Sequence, residues 1–227
     1  MDSRPLALVT GASRGIGAAV AHALAPTHDL LLGGRDAAAL DSLAAALPGA
    51  RAWPVELADD AAAAAAVDGL DLARLDVLVH SAGVGLLGTV AETGPDIWRQ
   101  QFEVNVVAVA GLTRLLLPAL RAAGGDVVLI NSGSGITARA GWGSYAASKF
   151  ALRAFADALR AEEPGLRVTS VHPGRVDTDM QRAVVAHEGG EYDGSRFLRP
   201  ESVAAAVRCA VTATGDAHLT EIVVRPR

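Results

Sequence analysis

The apolar run Leu6–Val9 meets the eight residues TGASRGIG (10–17) with no intervening loop, and an alanine-rich, helix-forming stretch follows at once. Such a juncture asks for a strand that turns directly into a helix. Gly11 permits the tight turn, Gly15 lets backbone approach a pyrophosphate, and Gly17 lets the helix pack onto a sheet. The helix start adds unpaired N–H donors and the positive end of a dipole, which together suit a phosphate. A glycine triplet alone can be an ordinary strand-to-helix turn; its βα setting is what gives it weight.

The same alternation continues along the chain. Strands are expected at Leu6–Val9, Asp29–Leu32, Arg51–Val55, Val77–His80, Val127–Asn131, Arg167–His172 and Glu221–Val224. Helices are expected at about 15–25, 37–47, 59–68, 95–123, 144–162 and 201–213. The strands are apolar without strict alternation, as for a parallel sheet covered on both faces. Alternating β and α elements imply right-handed crossovers and a doubly wound α/β sheet. No repeat or domain break interrupts residues 1–227, so a single dinucleotide-binding domain is expected. Residues 173–200 differ: they are polar, lack a clean period and follow a strand end, where open α/β sheets place their ligand crevice. A substrate lid at about 175–199 is the reading that follows.

Composition narrows the function. Of 227 residues 51% are hydrophobic and 20% charged, with a net charge of −5 and no basic run. Nucleic acid and anionic membrane surfaces are therefore not expected partners. The lone Cys209 leaves no intrachain disulfide and makes a reducing cytoplasm the expected location. The N-terminal apolar stretch is too short for a signal-peptide core. The apolar window Val104–Leu120 is interrupted by Thr113, Arg114 and Pro118, as in a buried amphipathic helix rather than a membrane span. Six histidines and one cysteine show no metal-ligand spacing, so no metal is expected.

Among 20 basic residues there is a single lysine, Lys149, and it follows Tyr145 by four positions in GSYAASKF. Within a helix that spacing puts both side chains on one face. YxxxK often marks nothing more than an amphipathic surface. Here every other cation is arginine, and an ammonium offers a compact charge that fits under a phenol and reaches sugar hydroxyls. A nearby ammonium is expected to lower the phenol pKa, giving a general acid for carbonyl reduction and a base for alcohol oxidation.

TGASRGIG with YxxxK resembles the short-chain dehydrogenase/reductase family, and the resemblance extends over essentially the whole chain. It implies a Rossmann fold with a seven-stranded parallel sheet of order 3-2-1-4-5-6-7. It also implies a catalytic set of Asn105, Ser132, Tyr145 and Lys149. Ser132, thirteen residues before Tyr145 in VLINSGSG, would orient the substrate oxygen. Asn105, in FEVNVVAV, would hold a water linking Lys149 to solvent. The cofactor would lie along Gly11, Ser13, Arg14, Gly15, Ile16 and Gly17, against Ala82 and Gly83, and at the turn of Pro173, Gly174 and Thr178. Tyr145 and Lys149 would touch it too. His80 and Ser81 depart from the family's NNAG pattern, and His80 is read as a core histidine. Glu56-Leu57 stands where Asp and an aliphatic residue usually meet the adenine.

The second strand ends in Gly33-Gly34-Arg35 without an acid to grip a ribose 2′-OH. Arg35, aided by Arg14, suits a 2′-phosphate, so NADP(H) is favoured over NAD(H). Asp36 is expected to cap the next helix. Ser132, Trp142, Tyr145, Val176 and Met180 are expected around a small carbonyl or alcohol substrate, with Tyr192 and Phe197 nearby. Alanine-rich faces on the two long helices suit a homodimer or homotetramer. Two other readings stay open: a 3-oxoacyl-carrier-protein reductase, docking through Arg139, Arg175, Arg182, Arg196 and Arg199, and an NADP(H)-sensing regulator without turnover.

Overall fold

A computed structural model describes residues 4–227. Seven strands form one parallel sheet: β1 (Leu6–Thr10), β2 (Asp29–Gly34), β3 (Ala50–Pro54), β4 (Val77–His80), β5 (Asp126–Ile130), β6 (Arg167–Pro173) and β7 (Glu221–Val224). Their order is β3-β2-β1-β4-β5-β6-β7, the expected one. Eight helices cross between them: α1 (Gly15–Leu24), α2 (Ala37–Ala46), α3 (Asp60–Asp68), α4 (Pro95–Phe102), α5 (Ala108–Ala123), α6 (Gly143–Glu162), α7 (Asp179–His187) and α8 (Pro200–Val211).

The sheet is apolar on both sides because both are covered. One face carries Val9, Leu30, Leu32, Val79 and Val171 into a core shared with Val20 and Leu24 of α1, Leu40 of α2, and Val203 and Val207 of α8. The other carries Leu8, Leu31, Leu78 and Leu129 against Leu112 and Leu116 of α5 and Leu152 and Leu159 of α6. Asp36 caps α2 as expected, accepting from the Ala39 amide at 3.0 Å, and Asp59 caps α3 in the same way at 2.9 Å.

Two elements differ from the sequence expectation. The helix over 95–123 is three pieces: α4, a π-turn at Glu103–Val107, and α5. The widened turn lies where Asn105 points inward, and such turns recur at functional positions. Residues 95–123 have the length and apolarity of a membrane span, but Val109, Leu112, Leu116, Ala119 and Leu120 are buried in the core. Second, residues 175–199 are not without regular structure. They contain α7, capped by the Thr178 hydroxyl, which accepts from Gln181 N at 3.3 Å, and a 3-10 turn at Gly194–Arg196.

Candidate active site

The order reverses between β1 and β4, so the crevice at their carboxyl ends is where a dinucleotide would lie. The loop above β1 is built without side chains by necessity. Gly11 has φ +65° and Gly15 φ +57°, and a Cβ on Gly17 would fall 2.2 Å from the Gly11 carbonyl oxygen. Arg14 occupies the N-cap of α1 but makes no side-chain cap, so the first-turn amides have no side-chain partner. Bare backbone at a free helix N-terminus fits a pyrophosphate. The floor beneath is fixed by Thr10, whose Oγ accepts from the amides of Ser81 at 3.1 Å and Ala82 at 3.2 Å. Sequence reasoning passed over Thr10, although a hydroxyl closing a buried strand is a readable signal.

At the rim, Arg35 and Glu56 pair at 3.6 Å, and Arg14 pairs with Asp179 of α7 at 3.7 Å. All four side chains are largely exposed, so these pairs are weak and both guanidiniums stay available to an anion. Glu56 also accepts from the Ala58 amide at 3.1 Å. Thr178 sits against Gly15, where a Cβ would meet its methyl at 3.3 Å. Gly174, just past β6, donates to the Val224 carbonyl at 2.7 Å.

Beside this crevice, α6 brings Tyr145 and Lys149 together as its i, i+4 spacing requires. Both are buried, and the Lys149 Nζ lies 5.9 Å from the Tyr145 ring centroid. Nζ donates to the Ile130 carbonyl at 3.0 Å, which ties α6 to the end of β5. Burial lowers the Lys149 pKa from the usual 10.5 to about 8. Burial also raises the phenol pKa of Tyr145, with the Ser132 hydroxyl pulling it the other way. The expected lowering by Lys149 is therefore not seen: burial is the largest influence, and only the Ser132 hydroxyl opposes it. Ser132 stands two residues past β5, not on it, with extended backbone at φ −163°; its Oγ accepts from Ser134 N at 3.1 Å.

Asn105 is tied to protein on both sides of its amide. Its Nδ2 donates to the Val84 carbonyl at 2.9 Å and to Ser148 Oγ at 3.0 Å, while its Oδ1 accepts from Val84 N at 2.9 Å. Both amide hydrogens are committed to protein, so the side chain clamps the segment after Gly83. One turn earlier Gln101, also fully buried, does the same for Leu86: Nε2 donates to its carbonyl at 3.1 Å and Oε1 accepts from its amide at 3.0 Å. Gln101 also reaches Ser144. Two amides on one helix thus stitch residues 84–86 to two serines on α6. Gln101, Ser144 and Ser148 were missed, though the paired spacings QxxxN and SxxxS are visible in the sequence.

His80 is the core histidine expected. It is buried, its Nε2 bonds Thr113 Oγ at 2.9 Å, and desolvation drops its pKa to about 3. Since the Thr113 hydroxyl donates to the Val109 carbonyl at 2.8 Å, it accepts from His80.

A cleft of about 380 Å³ opens between residues 85–97 and α7, lined by Leu86, Leu87, Ile97 and Val184, with Glu92 and His187 among its polar residues. Gly85 separates two expected pocket residues: a Cβ there would lie 3.1 Å from the Met180 sulfur and 3.6 Å from the Tyr145 ring. Trp142 packs edge-on to Tyr145 with centroids 5.8 Å apart. Val176 does not join them; it is buried in the core beside α1 and α8. Tyr192 and Phe197 stack 5.4 Å apart, with Arg182 over the first and Arg175 over the second, so they brace the lid on itself. Among the described residues no group of three or more His, Cys, Asp or Glu could hold a metal ion.

A sequence model of the short chain dehydrogenases matches residues 5–189. The chain belongs to the short-chain dehydrogenase/reductase family. It is 37% identical to glycine betaine reductase ATRR of Emericella nidulans over 99% of its own length but 19% of that protein. It is 36% identical to dehydrogenase/reductase SDR family member 7B of Bos taurus, covering 82% of this chain and 62% of the relative. The chain thus spans about a fifth of the first and under two thirds of the second. Among solved structures, an alcohol dehydrogenase from the archaeon Thermococcus sibiricus complexed with 5-hydroxy-NADP matches with TM-score 0.90 and 26% identity, covering 99% of this chain and 97% of that one. An actinorhodin polyketide ketoreductase with NADPH also matches with TM-score 0.90 and 26% identity, over 100% and 98% of the two chains. This member of the short-chain dehydrogenase/reductase family has a parallel seven-stranded sheet.

Proposed function

We propose that this chain is an NADP(H)-dependent reductase of ketones or aldehydes, with Tyr145 as the proton donor. The observation that carries the reading is the buried pair of Tyr145 and Lys149, one turn apart on α6, beside Ser132 and at the edge of a glycine-built crevice. Bound in that crevice, the nicotinamide supplies the hydride for the carbonyl carbon. Ser132 donates a hydrogen bond to the carbonyl oxygen as negative charge develops there. Tyr145 delivers its proton to the same oxygen. A phenol pKa raised by burial keeps that proton on the ring at neutral pH, ready to be delivered. The single ammonium, Lys149, would bond the nicotinamide ribose from α6. Asn105 acts by fixing the segment after Ala82 and Gly83.

NADP(H) preference rests on Arg35 and Arg14, two exposed guanidiniums beside the loop with no acid closing the end of β2. The solved relatives bound to NADPH and 5-hydroxy-NADP agree with it. Gly11, Ser13, Arg14, Gly15, Ile16 and Gly17 would hold the phosphates, and Pro173, Gly174 and Thr178 would flank the nicotinamide. Of the arginines that would dock a carrier protein, Arg175 pairs with Glu188 and Arg182 with Asp177. A sensor without turnover has no use for Tyr145 and Lys149 together. Exposed Val107 and Phe150 on the long helices would be covered in a homodimer or homotetramer, and a reducing cytoplasm suits the exposed Cys209.

Titration of the protein with NADPH and NADH, followed by a ketone and aldehyde panel with Tyr145→Phe as the inactive control, tests the reading. Tighter NADPH binding that weakens on Arg35→Ala, together with turnover by the wild type alone, supports it. Equal affinity for both cofactors removes the 2′-phosphate assignment, and no turnover across the panel removes the enzymatic reading.

A further inference from the structure

Behind Ser132, on the face of the sheet covered by α6, lies a second polar cluster that the proposed reaction does not use. Its centre is His172 on β6, with 0% exposure. The Nδ1 atom of His172 is 3.1 Å from the carbonyl oxygen of Ser132. A carbonyl only accepts, so Nδ1 carries the proton. Nε2 has no hydrogen-bond partner and faces the Glu221 carboxylate of β7 at 3.7 Å. Arg153 of α6 grips that carboxylate through two bonds, at 2.7 and 3.2 Å. From the tail, Arg225 donates to the His172 carbonyl at 2.9 Å, and its guanidinium covers Gly133, where a Cβ would meet it at 3.2 Å.

Ser132 needs such support. It stands beyond the end of β5 in extended backbone and precedes Gly133, which has no side chain to restrict the peptide between them. The turn that follows is held locally by Ser134 N on Ser132 Oγ and by Gly135 N on the Ser132 carbonyl at 3.0 Å. Only His172 ties that carbonyl to the rigid sheet among its recorded partners. Holding that carbonyl holds the peptide plane that contains the Ser132 Cα, and so the point from which the hydroxyl beside Tyr145 projects.

We infer that His172 is a positioning residue, whose Nδ1–H bond to the Ser132 carbonyl aims the Ser132 hydroxyl at the substrate oxygen. This rests on the reductase reading above. The charged groups around the imidazole are Glu221 on β7, which favours protonation, and Arg153 on α6 and Arg225 on the tail, which oppose it. Burial is the largest influence and also opposes it, so the ring is neutral at neutral pH. A proton added on acidification goes to Nε2, the atom facing Glu221. The Ser132 carbonyl itself favours the protonated ring, so acidification tightens this bond rather than loosening it.

Two variants test this in the full chain, with a carbonyl that the wild type reduces and NADPH as probes. His172→Leu removes the donor; His172→Asn places an amide N–H near the Nδ1 position and does not titrate. The kcat of H172L is expected to fall by about tenfold or more with KM for NADPH unchanged, and H172N to keep kcat within about threefold. Undiminished kcat in H172L, or equal impairment in both variants, overturns the inference. If H172L does not fold, H172N and the ¹⁵N imidazole spectrum of the wild type decide: a neutral ring protonated on Nδ1 supports the assignment, and one protonated on Nε2 overturns it. A wild type that reduces no carbonyl removes the functional reading and this inference together, whereas turnover with an unaffected H172L removes the inference alone.

Discussion

Asn105 and Val84 bind each other twice: the amide nitrogen donates to the backbone oxygen and the amide oxygen accepts from the backbone nitrogen, both at 2.9 Å. A side chain thus acts as a strand partner for the segment leaving β4, from a helix 21 residues later in the chain. Gln101 repeats the device one turn earlier on Leu86. Asn105→Ala leaves a buried N–H and C=O of Val84 without partners, and should cost about 2–4 kcal/mol. Urea denaturation measures the loss. A value under about 0.5 kcal/mol, the range of ordinary surface substitutions, would mean that water replaces the amide without penalty.

Lys149 gives a prediction in which stability and activity move apart. Its folded pKa of about 8 lies below the usual 10.5, so the unfolded chain binds more protons between those values and stability rises with pH across that window. Below pH 8 the buried ammonium costs the fold about 3 kcal/mol. Lys149→Met should therefore stabilise the cofactor-free protein at pH 7 by about 2 kcal/mol, after about 1 kcal/mol is subtracted for the lost bond to Ile130. The gain should shrink towards pH 10.5 as the wild-type amine loses its proton, and carbonyl reduction should be abolished. Equilibrium unfolding at pH 7 and pH 10 tests the stability half; a destabilised variant at pH 7 contradicts it.

Tyr145→Phe removes the proposed acid and leaves the ring. Its hydroxyl makes no backbone contact that supports the fold, so folding and NADPH affinity should be retained. Carbonyl reduction should drop by about 10²–10⁴-fold, the usual contribution of a positioned acid. Single-turnover kinetics at saturating cofactor reads this step directly. Residual activity above about a tenth of wild type would assign the proton to another group.

Gly17 and Gly165 make opposite forecasts for the same change. A Cβ on Gly17 would lie 2.2 Å from the Gly11 carbonyl oxygen, whereas nothing lies within 4 Å of one on Gly165. Gly17→Ala should force α1 off β1 and destabilise by more than about 3 kcal/mol, with loss of NADPH binding; Gly165→Ala should stay within about 1 kcal/mol of wild type. Thermal melts with and without NADPH separate the two.

The strands were legible because each is a short apolar run bounded by polar or glycine-containing turns, and their order followed from the family resemblance that TGASRGIG and YxxxK carry. What sequence could not show depends on chain segments meeting from far away. The Val84 clamp on Asn105 requires the π-turn that breaks the long helix. The raised pKa of Tyr145 comes from how deeply α6 buries it, which the i, i+4 spacing to Lys149 does not reveal. Helix α7 escaped because DMQRAVVAH is short and mixes polar and apolar residues without a long repeat. Only the Thr178 cap and the buried Gln181, Val184 and Val185 mark it. Val176 looked like a pocket residue from its place after the PG turn, yet its bridge to Leu198 turns it into the core.

Thr10 holds the amides of Ser81 and Ala82, and Gly11 leaves no room for a Cβ against Ala82, which would be 2.8 Å away. The two halves of the sheet are therefore welded at the seam where a dinucleotide would rest, and cannot part like a book along its spine. Room for a ligand has to come from the walls of the cleft instead, residues 85–97 on one side and α7 on the other.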